Sequence, residues 1–136
     1  MRIRELATGL QFPEGPIALA DGSVLLVEIA RGTLTRVRAD GLVQVVADLG
    51  GGPNGAAIGP DGAVYVCNNG GFAWHTEADG CLRPVGQAGN YSGGRIERVN
   101  LATGRAERLY DAVEGGALCG PNDIVFDAHG GFYFTD

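Results

Sequence analysis

One sixteen-residue unit occurs three times in this 136-residue chain, without a gap. The copies are PEGPIALADGSVLLVE (Pro13 to Glu28), PNGAAIGPDGAVYVCN (Pro53 to Asn68) and PNDIVFDAHGGFYFTD (Pro121 to Asp136). Self-similarity of this kind means a supersecondary unit that buries its apolar faces only by stacking on its neighbours. Each copy opens on Pro and an oxygen-bearing side chain, Glu14, Asn54 or Asn122. A short apolar run, a turn containing Gly22, Gly62 or Gly130, and a second apolar run follow. Each copy closes on Glu28, Asn68 or Asp136.

The pattern predicts strand, tight turn, strand, because Gly accepts positive φ and Asp tolerates it. Asp21, Asp40 and Asp61 are therefore read as turn residues. The connecting segments also read as strands: Thr33 to Arg38, Leu42 to Ala47, Arg95 to Asn100 and Ala106 to Tyr110. Two repeat strands and two connecting strands make a four-stranded unit. With 24 glycines placed beside Asp, Asn and Pro, and no long helical pattern, the chain is expected to be all-β. The repeats begin 40 and 68 residues apart. The first spacing suits a propeller blade. The second is lengthened by an insert, Gly70 to Gly93, with Phe72, Trp74, His75 and Tyr91 among glycines. The insert is expected to be a long loop or an excursion between strands. Phe72 and Trp74 either line a mouth or pack within that loop.

Residues 1–136 thus read as one β-propeller domain in part, covering about its first three blades. Three blades do not close a ring, since propellers use roughly four or more. The expectation is an N-terminal portion of a longer protein. The alternative is a half-propeller that closes by self-association. A propeller gathers equivalent blade positions around its axis, so Glu14, Asn54 and Asn122 are expected at one end of the channel. Glu28, Asn68 and Asp136 would form a second ring.

Several function classes lack support. The net charge is −6 with no basic block, so a nucleic-acid partner is not expected. Cys67, Cys81 and Cys119 show no metal-binding or disulfide spacing and read as inert thiols. No Gly-x-Ser-x-Gly elbow and no dinucleotide fingerprint occurs. His75 and His129 read as surface residues. No apolar run approaches the roughly 18 residues of a membrane helix, and the N-terminus has no secretory h-region. No membrane partner is expected, and the default location is cytoplasmic.

The motifs resemble those of the gluconolactonase, senescence marker protein (regucalcin) and luciferin-regenerating enzyme family. Phe12-Pro13-Glu14-Gly15-Pro16, Gly52-Pro53-Asn54-Gly55 with Pro60-Asp61-Gly62, and Gly120-Pro121-Asn122-Asp123 with Phe126-Asp127 and Phe134-Thr135-Asp136 carry the likeness, in this order. The resemblance implies a six-bladed β-propeller with one divalent cation in its channel. It implies metal ligation by Glu14 and Asn122, with Asn54 a substrate-binding candidate lining the pocket. A second Asn ligand and the Asp general base would fall beyond Asp136, so the catalytic residue is unknown within this chain. Asp123 could support the site from behind Asn122. Where some relatives carry Arg before the motif Asn, this chain has Leu118-Cys119-Gly120-Pro121. Carboxylate and amide oxygens suit Ca²⁺ first, then Zn²⁺, Mn²⁺ or Mg²⁺.

The resulting expectation is a metal-dependent hydrolase of a sugar lactone or related cyclic ester. A non-catalytic binding scaffold and a strictosidine-synthase-like enzyme on the same fold are the competing readings.

Overall fold

The computed structural model describes residues 3–136, and among them there are strands and turns but no helix. Accordingly, no helix is long and apolar enough to cross a membrane. Strands β1 (Pro13–Ala18), β2 (Val24–Glu28), β3 (Thr33–Val37) and β4 (Val43–Asp48) form a meander in sequence order. The second sheet contains β5 (Pro53–Ile58), β6 (Val64–Asn68), β9 (Arg95–Val99) and β10 (Ala106–Tyr110). Its order is also a meander once β7 (Phe72–Thr76) and β8 (Leu82–Gln87) are set aside. Those two strands pair only with each other. A small hairpin, β11 (Ala112–Val113) with β12 (Gly116–Ala117), leads to β13 (Ile124–Phe126) and β14 (Phe132–Phe134). The chain is therefore part of a β-propeller. Two four-stranded blades are complete, and the third repeat contributes the inner hairpin of another.

The repeat turns are built alike. Leu19 N–H donates to the Ser23 carbonyl at 2.8 Å, and Gly59 N–H to Ala63 at 2.9 Å. Asp21 and Asp61 each accept the backbone N–H two residues on, at 3.0 and 3.1 Å. Hydrogen bonds from Ser23 hold the Asp21 carboxyl below its usual range, and Arg98 with Ala63 does the same for Asp61. In the third copy His129 stands where the Asp would be. Asp127 supplies the acceptor instead, taking the N–H groups of His129 and Gly131 at 2.8 and 2.9 Å. The structural reading of Asp21 and Asp61 thus stands.

Alternation along β6 explains the stacking. Val64 and Val66 face the first blade and bury against Leu25, Val27 and Leu34. Cys67 and Tyr65 face the third hairpin, with Ile96, Leu118 and Ile124. A strand packed on both faces must be apolar at every position, as Val-Tyr-Val-Cys is. Tyr65 also meets Phe126 edge-on, ring centroids 4.9 Å apart.

Candidate functional site

The innermost strand of each unit begins with the repeat's Pro and polar residue. In β1, Pro13 pairs with Glu28 and Glu14 with Val27, after which the register shifts before Ile17. In β5, Pro53 pairs with Asn68, and the register shifts before Gly55. A register irregularity near the start of each of these strands bends it locally. The residue after the polar one is Gly15 in β1 and Gly55 in β5. A Cβ on Gly15 would stand 2.9 Å from the Ala56 nitrogen, and one on Gly55 would stand 2.7 Å from the Asp123 Cα and collide with the Asn122 carbonyl. The three strand starts are therefore in backbone contact, which only glycine permits.

This close approach brings the sequence-predicted positions together. Glu14, Asn54 and Asn122 line one polar recess of about 300 Å³, with Gly15, Gly55 and Asp123. Glu14 and Asn122 are exposed and Asn54 is half-buried. The third copy carries Asp123 where the first two carry glycine, so the recess holds two carboxylates and two carboxamides. Asp123 accepts the Ile124 N–H at 2.8 Å, which leaves its second oxygen free of that bond. Among the described residues no group of three or more His, Cys, Asp and Glu could hold a metal ion. The donor set of the recess is mixed rather than wholly anionic. Oxygen donors of this kind fit a hard cation, and Ca²⁺ in particular takes about six to eight of them.

The closing residues do other work. Glu28 is fully buried and accepts the Gln11 N–H at 2.7 Å, the Thr35 hydroxyl at 2.7 Å and the Arg31 Nε at 2.8 Å. Burial alone would raise its pKa, but these donors outweigh burial and hold the carboxyl below its usual range. Asn68 accepts from Gly52 N–H at 2.9 Å. Asp136 accepts from Cys119 and Gly120 N–H at 3.0 and 2.6 Å. In every copy the closing residue of the repeat thus clasps the backbone that enters the first strand. A second ring of ligands is not what these oxygens form: they are committed to their own repeats.

The insert is a hairpin, not a loop. It leaves after Asn68 and returns at Arg95, which is Asn68's partner in the β6–β9 register. Ala88 and Ser92 N–H donate back to Gly71 and Gly70 at 3.1 and 3.0 Å. Arg95 and Glu97 form a buried ion pair at 2.9 Å, and Glu97 accepts from Asn68 Nδ2 at 2.9 Å. Beside this network the buried Asn69 Nδ2 has no partner among the described residues. His75 and His129 are exposed as the sequence implied. Cys67 is buried, which pushes its thiol up to about 12. Cys81 is also raised, by its hydrogen bond to Asp79. Neither is a ready thiolate.

Known proteins resemble this chain in sequence and fold. A gluconolactonase from Zymomonas mobilis subsp. mobilis is 26% identical over 148 aligned residues, spanning 98% of this chain and 35% of the relative. The solved structure of a gluconolactonase from Xanthomonas campestris superposes with a TM-score of 0.66 at 25% identity, covering 91% of this chain and 34% of that one. A further solved structure from the gluconolactonase group gives 0.69 at 23% identity, over 98% of this chain and 39% of the other, and speaks to the fold alone. The chain therefore spans about a third of the length of the relatives it matches. The family profile described as the SMP-30/gluconolactonase/LRE-like region matches residues 12–136, and to that family the chain belongs.

Proposed function

We propose that this chain supplies one side of the active site of a metal-dependent lactonase acting on a sugar lactone or related cyclic ester. The observation that carries the reading is the recess in which Glu14, Asn54 and Asn122, remote in sequence, share one wall. Glu14 and Asn122 would hold a divalent cation, Ca²⁺ by preference for oxygen donors, with Zn²⁺, Mn²⁺ or Mg²⁺ as substitutes. When bound, such an ion supplies Lewis-acid polarisation of the ester carbonyl and charge stabilisation of the oxyanion.

The chain's own residues do the positioning. Asn54 offers a carboxamide that can both donate to and accept from substrate hydroxyls. Gly15 and Gly55 let the strands approach closely enough that these groups meet at one recess. Asp123, on the same wall, adds negative charge that favours a cation. The water-activating carboxylate is assigned to a part of the protein outside residues 1–136, in keeping with the share of the relatives that this chain covers.

The test uses the full-length protein. Added Ca²⁺, Mn²⁺ or Zn²⁺ should raise its thermal midpoint, and Glu14→Ala should abolish that rise and lower lactone hydrolysis at least about a hundredfold. Hydrolysis is followed by pH-stat on glucono-δ-lactone and γ-lactones. A protein that hydrolyses none of them and shows no response to any cation would overturn the reading.

A further inference from the structure

The β7–β8 hairpin belongs to neither four-stranded sheet, and it projects from the end of the blades where the recess lies. The register requires this. Asn68, at the end of β6, pairs with both Pro53 and Arg95, so the insert departs and returns beside the start of β5. From there it reaches back to the segment that leads into β1. The Trp74 ring packs on Phe12 at 5.0 Å between centroids, and Phe72 meets Trp74 edge-on at 6.0 Å. The tip residues Gly80 to Leu82 share a recess with Gly9 to Phe12. Phe12 lies two residues before Glu14. Among the described residues it is the one non-glycine at positive φ, 57°. A bulky side chain in that region is strained, and here the conformation delivers the ring to Trp74.

We infer that Phe12, Trp74 and Phe72 form the apolar wall of the substrate mouth and that Trp74 is a specificity-determining residue. The inference rests on the lactonase reading and deepens it by naming the residue that recognises the substrate's ring. The recess offers only carboxylate and carboxamide groups, which suit hydroxyls and a cation. The hairpin adds a half-buried aromatic surface on Phe12, two residues before Glu14. A small-molecule site commonly combines such a surface with a few placed polar groups. A pyranose lactone presents both complements, an apolar C–H face and a rim of hydroxyls. Trp74 would take the face and fix the ring's orientation while Asn54 and its neighbours take the rim.

Trp74 is the only tryptophan in these 136 residues, so it reports its own contacts. In the full-length protein, 1,5-anhydro-D-glucitol, a pyranose ring without an ester to hydrolyse, should change the tryptophan emission. The change should vanish in Trp74→Phe, which isolates it from any tryptophan elsewhere. Trp74→Phe should keep the KM for glucono-δ-lactone within about twofold. Trp74→Ala should raise it roughly tenfold with kcat and Ca²⁺ affinity held. If Trp74→Ala fails to fold, the wild-type emission titration and Trp74→Leu decide the matter. Hydrolysis that depends on Glu14, with an emission indifferent to the ring and an unchanged KM in the Trp74 variants, overturns this inference alone. An emission response without any lactone hydrolysis overturns the lactonase reading and leaves the ring contact standing.

Discussion

At the scale of single residues, the clearest division is between the two ends of each repeat. The second position faces the recess, and the last position holds the backbone together. Glu28 shows how strongly. Removing its carboxylate would leave the Gln11 N–H, the Thr35 hydroxyl and the Arg31 Nε–H without this acceptor. Leaving buried donors without their acceptor costs about 1–3 kcal/mol, and Glu28→Ala should lower urea stability on that order. The effect should depend on pH with a definite sign. Because its donors hold Glu28 below the ordinary glutamate value of 4.5, its contribution is complete above that value. It should fade as pH falls through the depressed folded-state value, so wild type and Glu28→Gln should converge in stability there. Denaturation curves at neutral pH and at progressively lower pH check both the size and the direction. The sequence shows Glu28, Asn68 and Asp136 as equivalent, but only their hydrogen bonds reveal a clasp rather than a ring.

At the scale of elements, the glycine after Glu14 and the one after Asn54 are what let one inner strand lie against the next. Gly55→Ala should be costly, since its Cβ would meet the backbone of Asn122 and Asp123 and no flexible side chain could yield. Overpacking against backbone costs about 1–3 kcal/mol and should also push the recess apart. Gly62→Ala is the control. Its Cβ would meet nothing within 4 Å, and the residue bears only the penalty of its φ of 76°, about 1–2 kcal/mol. Gly55→Ala should therefore weaken cation binding as well as stability, whereas Gly62→Ala should touch stability alone, as paired calorimetric titrations and unfolding curves would show. The repeat hairpins themselves were legible, because Asp-Gly between apolar runs encodes a local turn. The insert was not. Its glycines and aromatics carry no strand period, and β7 pairs with β8 through contacts the pattern Phe-Ala-Trp-His-Thr does not advertise.

At the scale of the whole molecule, the blades stack face to face and the third repeat leaves a face open. Val125 and Tyr133 on that hairpin are 62% and 68% exposed, whereas their counterparts on the second blade are covered by a neighbour. Among the described residues β14 pairs only with β13. An apolar face beside an unpaired edge is prone to association. Residues 1–136 expressed alone should self-associate, visible as a concentration-dependent mass in sedimentation. Tyr133→Glu with Val125→Lys should shift the population toward monomer. An unmodified chain that stays monomeric at high concentration would count against the exposed face as an adhesive surface.

By itself, the sequence determined the repeat, the turns and the both-sided burial of strands such as β6, because these follow from local backbone preference and side-chain alternation. It also singled out Glu14, Asn54 and Asn122 as equivalent. The repeat also pointed to their meeting at one end of a channel, but the backbone contacts that bring the strand starts together, the place of Asp123 on the recess wall itself and the packing of Trp74 on Phe12 were decided only by the tertiary structure. Each depends on how far one blade rotates on the next and on where a hairpin leans. Those are set by packing between residues far apart in the chain, which no local pattern records.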